Sequence, residues 1–163
     1  MTRLLILCTG NSARSILGEV LFNALGQGRI EAVSAGSQPK GKPHTLALET
    51  LAAHGHSTAG LRSKSWDEFA GSDAAPVDGV ITVCDSAAAE SCPIWPGAPV
   101  SVHWGLPDPA GIEDESAARA AFEATYQALR TRIERVMKTP ELDNAATLKA
   151  ALTAAHTETS DHV

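Results

Sequence analysis

The chain has 163 residues, of which 44% are hydrophobic and 20% charged, with a formal net charge of −6 and a pI near 5.4. This acidic balance provides no basic field for nucleic acid or an anionic membrane, so selectivity for any anion has to be built locally. The apolar runs fall far short of the roughly 20 residues that span a bilayer, and the N-terminus lacks the order of a signal peptide. We therefore expect a cytoplasmic protein that binds neither nucleic acid nor membrane.

The three cysteines are an odd number in a chain without a secretion signal, which favours reduced thiols over a disulfide scaffold. A chain of this length supports one domain that buries about two-thirds of its unfolded surface. We expect that domain over residues 1–138. The extension over 139–163 is expected to hold one helix and a frayed tail.

Strands and helices alternate along the first part of the chain. An apolar run over 3–8 predicts a buried strand, and apolar residues at helical spacing predict an amphipathic helix over 12–25. A second strand is predicted over 29–35, before a loop rich in glycine and proline. A helix over 44–54 follows and ends at Gly55.

The alternation continues in the second part of the chain. Ser65 and Glu68 have the spacing of a capping box, which predicts a short helix. Strands and helices that alternate in this way indicate an α/β fold with a mostly parallel four-stranded sheet, covered on both faces. The later elements are strands over 79–84 and 100–103, a long helix over 115–137 and an alanine-rich helix over 142–156.

Cys8 and Arg14 lie at the first turn from strand to helix. A short loop in this position can wrap backbone N–H groups around a tetrahedral anion, and the helix N-terminus adds partial positive charge. Arg14 can close this cradle with a forked pair of charge-assisted hydrogen bonds. The same field favours the thiolate of Cys8, so that its pKa would fall from about 8.5 to about 6. The pattern predicts an oxyanion site with its own nucleophile.

The spacing Cys8-x5-Arg14-Ser15, with Asp108-Pro109 far downstream, resembles the low-molecular-weight tyrosine phosphatase fold family. Within that family the chain is most similar to the thioredoxin-coupled arsenate reductases. The resemblance covers about residues 3–137 and implies a flavodoxin-like three-layer fold. The residues that carry the closer similarity are Cys8-Thr9-Gly10-Asn11-Ser12, Cys84, Cys92, and His103-Trp104-Gly105 ahead of Asp108-Pro109-Ala110.

The resemblance implies roles for individual residues. Cys8 would attack a tetrahedral oxyanion such as arsenate or phosphate, and Asp108 would protonate the departing oxygen. The Asn11 side chain would hold the loop in shape, and Ser15 would hydrogen-bond the thiolate. A disulfide within the loop is excluded, because the family's second loop cysteine is Ala13 here. The residues that would bind the oxyanion are Thr9, Gly10, Asn11, Ser12, Ala13, Arg14 and Ser15.

Cys84 and Cys92 distinguish two activities that such a loop can support. A phosphatase needs one thiolate, an anion cradle and an acid. An arsenate reductase must also supply two electrons, so the attacking sulfur has to end in a disulfide with a second thiol. The resemblance implies that Cys84 attacks Cys8 and that Cys92 then attacks Cys84. Thioredoxin, or glutaredoxin with glutathione, would reduce the final disulfide, and no cofactor is required.

Some reductases of this group hold a potassium ion. The corresponding positions here are Asn11, Glu19, Ser34 and Asp67. Hard oxygen ligands of this kind suit a weak alkali-metal site. Each of these residues also has an ordinary structural explanation, as a helix cap, a solvated helix face or a turn residue.

Other interpretations of the same residues stay open. The leading alternative is a phosphatase that hydrolyses phosphotyrosine or small phosphomonoesters through a cysteinyl-phosphate on Cys8, with Arg14 and Asp108. Phosphatases of this family usually follow the Asp-Pro pair with aromatic residues that stack on a phenyl ring, whereas Ala110-Gly111 follow it here. A third interpretation is a redox-sensing or oxyanion-binding module without turnover.

Cysteine and histidine residues allow two structural interpretations as well. Zinc binding by Cys84, Cys92 and His103 is disfavoured, because the spacing contains no Cys-x2-Cys unit and zinc would quench the thiols. His103 is expected to pack at a strand end. The remaining histidines are expected to be solvated, namely His44, His54, His56, His156 and His162.

Overall fold

A single sheet organises the molecule. The computed structural model describes residues 2–70, 75–83, 99–107 and 109–160, and for 157–160 the backbone only. The described strands are all parallel and lie in the order β2-β1-β3-β4. They are β1 (Thr2–Leu7), β2 (Ile30–Ala35), β3 (Gly79–Thr82) and β4 (Val100–His103).

The register of the strands brings their carboxyl ends to one edge. Leu7 at the end of β1 pairs with Ala35 of β2 on one side and with Thr82 of β3 on the other. Thr82 in turn pairs with His103 at the end of β4. Ligands of open parallel sheets bind beyond this edge, and Cys8 is the first residue that leaves the central strand there.

The described helices differ in length and in position relative to the sheet. The helix after β1 packs against β1 and β2, and the last described helix packs against β4, whereas the long helix over 115–137 packs on the other helices. The α-helices are α1 (Arg14–Leu25), α2 (Thr45–Ala53), α3 (Glu115–Met137) and α4 (Ala145–Ser160), and 3-10 turns cover Trp66–Phe69 and Pro109–Gly111.

The central strand is buried on both faces, as a continuous apolar run predicts. Leu4 and Ile6 point into the larger core, which the four α-helices cover. Leu5 and Leu7 point into a smaller cluster on the opposite face, which the 3-10 turn Trp66–Phe69 covers in the described part of the chain. The prediction of an α/β fold with a parallel four-stranded sheet is confirmed.

Several predicted boundaries differ from the structure, and three of them border the site or the C-terminal helix. The helix predicted from residue 12 begins at Arg14, because Ser12 and Ala13 remain in the loop after Cys8. The helix predicted from residue 142 begins at Ala145, because Asn144 caps it by accepting the N–H of Thr147 at 3.0 Å. The third strand ends at Thr82, and Cys84 lies outside the described residues.

The prediction that the histidines of the α2 region are solvated is wrong. The His54 ring stacks on buried Tyr126 with centroids 4.0 Å apart, and its Nε2 lies 2.8 Å from a Glu123 oxygen. His56 Nε2 lies 2.7 Å from the Tyr126 hydroxyl, which needs a partner because the ring is fully buried. His44 caps α2, since its Nδ1 accepts the N–H of Leu46 at 3.0 Å.

Burial lowers the pKa of His56 below its ordinary value of 6.5, and the neighbouring charges of His54 and Arg130 lower it further. His156 on α4 is likewise half-buried, and desolvation is the main cause of its lowered pKa. Both rings therefore favour the neutral form in the folded protein.

Among the described helices, none has the length and apolar character needed to cross a bilayer.

Candidate active site

The site is built around the loop between β1 and α1. Cys8 leaves β1 at the carboxyl edge of the sheet, and only 5% of its surface is exposed. Its N–H donates to the oxygen of Ala35 at 3.2 Å, so the loop starts from a fixed point at the centre of the sheet. No side chain caps the N-terminus of α1, which begins at Arg14, and its first turn holds no acidic residue. The positive end of the helix dipole thus faces the loop without a local negative charge.

The loop turns three of its main-chain oxygens outward. The peptide group is planar and trans, so each carbonyl points opposite to the N–H of the next residue. The N–H groups of residues 10, 11 and 13 are therefore directed inward, away from the segment that holds the carbonyls. The three loop carbonyls accept hydrogen bonds from this segment: Thr9 O from Gln38 N (2.9 Å), Gly10 O from Lys40 N (3.0 Å) and Ser12 O from His44 N (2.8 Å). The three N–H groups therefore stay on the side of the loop that is turned away from residues 38–44.

Gly36 supports the loop from behind. A Cβ at this position would lie 2.6 Å from the oxygen of Cys8 and would also overlap the oxygen of Thr9. Only glycine lets the end of β2 approach the loop this closely. The main chain of Gly36 is itself held, because its N–H donates to Lys64 O at 2.9 Å.

Asn11 connects the loop to three other segments of the chain. Its backbone adopts a φ of 43°, a left-handed conformation that asparagine tolerates better than most residues. The fully buried side chain donates from Nδ2 to Ser15 Oγ at 2.8 Å and to Ser34 Oγ at 3.0 Å. Its Oδ1 accepts the main-chain N–H of Lys64 at 2.8 Å. These three bonds link the loop to α1, to β2 and to the segment before the 3-10 turn.

The network continues from Ser34 to a charged pair. Ser34 Oγ donates to Glu19 Oε1 at 2.8 Å. Lys64 Nζ lies 3.6 Å from the same carboxylate oxygen and donates to the oxygen of Arg62 at 3.2 Å. Lys64 is 8% exposed, so its ammonium group is an internal cation next to the oxyanion loop.

The residues expected to bind potassium do not fit that ion. Asn11, Glu19 and Ser34 come together, but the oxygen of Asn11 is directed to the Lys64 N–H and the carboxylate of Glu19 faces the Lys64 ammonium. Asp67 is exposed on the 3-10 turn, and within the described residues its carboxylate makes no hydrogen bond to the other three. No cluster of three acidic, histidine or cysteine side chains suited to a metal ion occurs in the described part.

Arg14 connects the loop to the segment that precedes Asp108. Its Nη1 donates to the oxygen of Leu106 at 2.7 Å. The N–H of Leu106 donates to Val83 O at 3.2 Å, and the N–H of Val83 donates to Leu7 O at 2.9 Å. These main-chain positions come one residue before Cys8, one before Cys84 and two before Asp108. The predicted site residues Cys84, Cys92 and Asp108 themselves lie outside the described residues.

Lys64 is the residue of this site that sequence reasoning missed. It stands between Ser63 and Ser65 in a polar segment, where a lysine is normally solvated. The sequence gives one indication that Glu19 has a partner. Glu19 lies four positions after Ser15, so it shares the face of the helix from which Ser15 contacts the loop. A carboxylate on that face needs a counter-charge, but spacing alone does not say which cation provides it.

His103 also has a more specific contact than strand-end packing. Its Nδ1 lies 2.7 Å from Thr82 Oγ1 on the neighbouring strand. The next residue, Trp104, is fully buried, and its indole stacks on Phe22 with centroids 5.8 Å apart. This region fixes the path by which β4 leads toward Leu106.

The fold and the loop together define an α/β protein with a parallel four-stranded sheet, and at the carboxyl edge of that sheet a buried thiol is followed by a short loop and a helix N-terminus. Residues 3–148 match the family model of the low molecular weight phosphotyrosine protein phosphatases, and the chain belongs to this family.

Its relatives include arsenate reductases. Arsenate reductase 1 of Staphylococcus epidermidis is 32% identical over 133 residues, which are 80% of this chain and 94% of that protein. The solved arsenate reductase of Archaeoglobus fulgidus is 27% identical with a TM-score of 0.60, over 80% of this chain and 98% of that one. A structure described as an arsenate reductase in the phosphate binding state is 24% identical with a TM-score of 0.68, over 85% of this chain and 98% of that one, which supports the fold alone.

Proposed function

We propose that the protein is an arsenate reductase that converts arsenate to arsenite by a cascade of three cysteines. The observation that carries this proposal is the loop after the buried thiol of Cys8: residues 38–44 hold three of its carbonyls, so the row of N–H groups at residues 10, 11 and 13 points to the other side. A row of this kind recognises a tetrahedral anion and at the same time favours a thiolate. Similarity to curated arsenate reductases along most of the chain supports arsenate as the anion.

The first step is nucleophilic. The Cys8 thiolate attacks the As(V) centre of arsenate, and one oxygen leaves as water after it takes protons, one of them from Asp108. The loop N–H groups and Arg14 balance the charge on the remaining oxygens. The product is a Cys8–arsenic(V) adduct, and no electron has yet been transferred.

The second and third steps carry the electrons. The Cys84 thiolate attacks the Cys8 sulfur, and the electron pair of the S–As bond stays with arsenic, which leaves as arsenite. Cys92 then attacks Cys84, restores the Cys8 thiolate and leaves a disulfide between Cys84 and Cys92. Two thiols are oxidised and one arsenic is reduced by two electrons, so the cycle balances.

An external dithiol closes the cycle by reducing that disulfide. Thioredoxin, or glutaredoxin with glutathione, would do so by the same exchange chemistry. Seven residues separate Cys84 from Cys92, a loop that closes at small entropic cost. The short separation favours a disulfide between these two cysteines.

The test compares two activities of the full-length, reduced protein. We expect arsenate-dependent oxidation of reduced thioredoxin, and a kcat/KM for arsenate higher than that for an aryl phosphate. Cys8→Ser should abolish both activities. Cys84→Ser and Cys92→Ser should each abolish multiple turnover of arsenate but leave aryl phosphate hydrolysis within a few-fold of wild type.

Full multiple-turnover reduction of arsenate by Cys84→Ser or by Cys92→Ser would contradict the three-cysteine cascade. A kcat/KM that favours the aryl phosphate would instead make the protein a phosphatase that uses Cys8, Arg14 and Asp108. The reductant is identified by trapping. A thioredoxin that retains only its attacking cysteine should form a mixed disulfide with the oxidised wild-type protein, and a glutaredoxin treated in the same way provides the comparison.

A further inference from the structure

We propose that Lys64 is a positioning residue whose buried ammonium group occupies the place of a monovalent metal cation and holds the oxyanion loop in its working shape. The inference concerns the site of the proposed function, but its tests measure protein stability and the ionisation of Cys8. They therefore remain valid if the protein reduces no arsenate.

The Lys64 ammonium group compensates the charge of a carboxylate that is largely withdrawn from water. The Glu19 side chain is 15% exposed and the Lys64 side chain 8%, with Nζ 3.6 Å from Oε1. A carboxylate withdrawn from water in this way is costly unless a cation compensates it. In the described part of the chain, Lys64 is the cation that lies within ion-pair distance of Glu19.

The oxygens around the Lys64 ammonium group are directed at it. The main-chain oxygen of Arg62 lies 3.2 Å from Lys64 Nζ, so it and Oε1 of Glu19 converge on the ammonium as they would on a bound cation. The Asn11 oxygen is already committed to a main-chain N–H, and the Asn11 amide presents its NH₂ to Ser34. A metal ion would therefore find few free oxygens here and would have to displace an ammonium that is covalently attached.

The hydrogen bonds between Glu19 and the loop have a fixed donor–acceptor order. Because Ser34 donates its hydroxyl proton to the Glu19 carboxylate, its oxygen is free to accept from Asn11. The second Asn11 N–H goes to Ser15 Oγ, so the hydroxyl proton of Ser15 must point to a different acceptor. The charge of Glu19 sets this order, and the Lys64 ammonium keeps that charge in place.

Lys64 contacts the network in two ways that can be separated. Its main-chain N–H binds Asn11 and its main-chain oxygen binds Gly36, and both contacts survive any side-chain substitution. Only the ammonium group acts on Glu19. A substitution that removes the charge and keeps the length of the side chain therefore isolates the proposed role.

The first experiment measures thermal unfolding of the reduced full-length protein in KCl, NaCl and choline chloride at equal ionic strength. The wild type should have the same Tm in all three salts. Lys64→Met should lower the Tm by about 5–15 °C, because it leaves Glu19 without its cation. Lys64→Ala, which also opens space, should regain part of its loss in KCl but not in choline chloride. Lys149→Ala on the exposed face of α4 is the matched control and should change the Tm by no more than about 2 °C.

The second experiment follows alkylation of Cys8 against pH, with the modified peptide measured by mass spectrometry. Lys64→Met should shift the ionisation of Cys8 upward by about one pH unit, a tenfold loss of thiolate at pH values below the pKa, and a role in packing alone would not do this. The double variant Lys64→Met/Glu19→Gln should be more stable than the sum of the two single losses implies.

Three results would each overturn the inference. The first is a wild-type Tm that rises in KCl relative to choline chloride, since a metal ion would then be bound. The second is a Lys64→Met variant with unchanged Tm and unchanged Cys8 ionisation. The third is strict additivity in the double variant. The wild-type salt comparison and the double variant keep the inference testable even if Lys64→Ala fails to fold.

Discussion

Trp104 donates its indole N–H to the main-chain oxygen of Leu152 at 2.8 Å, and so ties the end of β4 to the C-terminal helix α4. Most of that helix lies beyond residue 148, where the family match ends. Its inner face is nevertheless part of the larger core, through Leu148, Leu152 and Ala155. The helix thus stabilises Trp104, which follows β4 and precedes Leu106, although most of the helix lies outside the residues that match the family.

Trp104→Phe should destabilise the protein by about 2–4 kcal/mol. The variant keeps an aromatic ring against Phe22 but loses the N–H donor and part of the packed surface. Urea unfolding followed by circular dichroism measures the change. Ala154→Ser on the exposed face of α4 is the control and should stay within about 0.5 kcal/mol of wild type. A loss below about 1 kcal/mol for Trp104→Phe would contradict the role given to this bond.

Asn11→Ala should lower the free energy of unfolding by about 2–4 kcal/mol, because it removes three buried hydrogen bonds. In addition, phosphate or arsenate should protect Cys8 less well from an alkylating reagent in this variant than in the wild type. Gln27→Ala separates the lost bonds from backbone strain, since Gln27 is exposed and has a similar φ of 48°. If Gln27→Ala costs as much as Asn11→Ala, the side-chain network does not hold the loop.

Gly36→Ala should distort the oxyanion loop directly. The added methyl group would collide with the oxygens of Cys8 and Thr9, so the loop or the end of β2 has to move. We expect at least a tenfold weaker affinity for phosphate, measured by protection of Cys8 from alkylation, since such cradles depend on placement within about 0.5 Å. Gly111→Ala, where a Cβ meets no atom within 4 Å, should bind phosphate like the wild type.

Stability should fall as the pH is lowered from about 7.5 to 5.5. Burial lowers the folded-state pKa of His56 and of His156, so the unfolded chain takes up these protons first, near pH 6.5. Protonation of the unfolded state then favours unfolding, by at most about 1.4 kcal/mol per pH unit for each group and by less for these half-exposed rings. His56→Gln should flatten the decline in urea unfolding experiments, and an unchanged slope would exclude this residue as a cause.

Regular elements could be predicted well where a local pattern decided them. The long helix α3 has the bounds that were expected, 115–137, because Asp114 caps it and its apolar positions keep helical spacing. The strand β4 also agrees with the prediction, over 100–103. By contrast, the start of α1 depends on how the loop folds back on residues 38–44, which no short-range pattern reports.

Contacts between distant segments of the site could not be predicted for the same reason. Lys64 meets Asn11 across 53 positions, and Arg14 meets Leu106 across 92. The partners of His54 and His56 lie about 70 positions away on α3. Side-chain type restricts what such residues can bind, but only the packed sheet and helices decide which of them become neighbours.

The outward carbonyls of the loop have a consequence for competition between anions. The loop N–H groups that follow these carbonyls belong to the main chain. They already have this orientation without a bound anion, so binding requires little ordering. Such donors sense shape and negative charge, which phosphate and arsenate share. Discrimination must then arise after capture, because arsenic(V) can keep the electron pair of its bond to sulfur and leave as arsenite, whereas phosphorus(V) is not reduced in this way. We expect abundant phosphate to act as a competitive inhibitor that no side-chain substitution in the loop can fully remove.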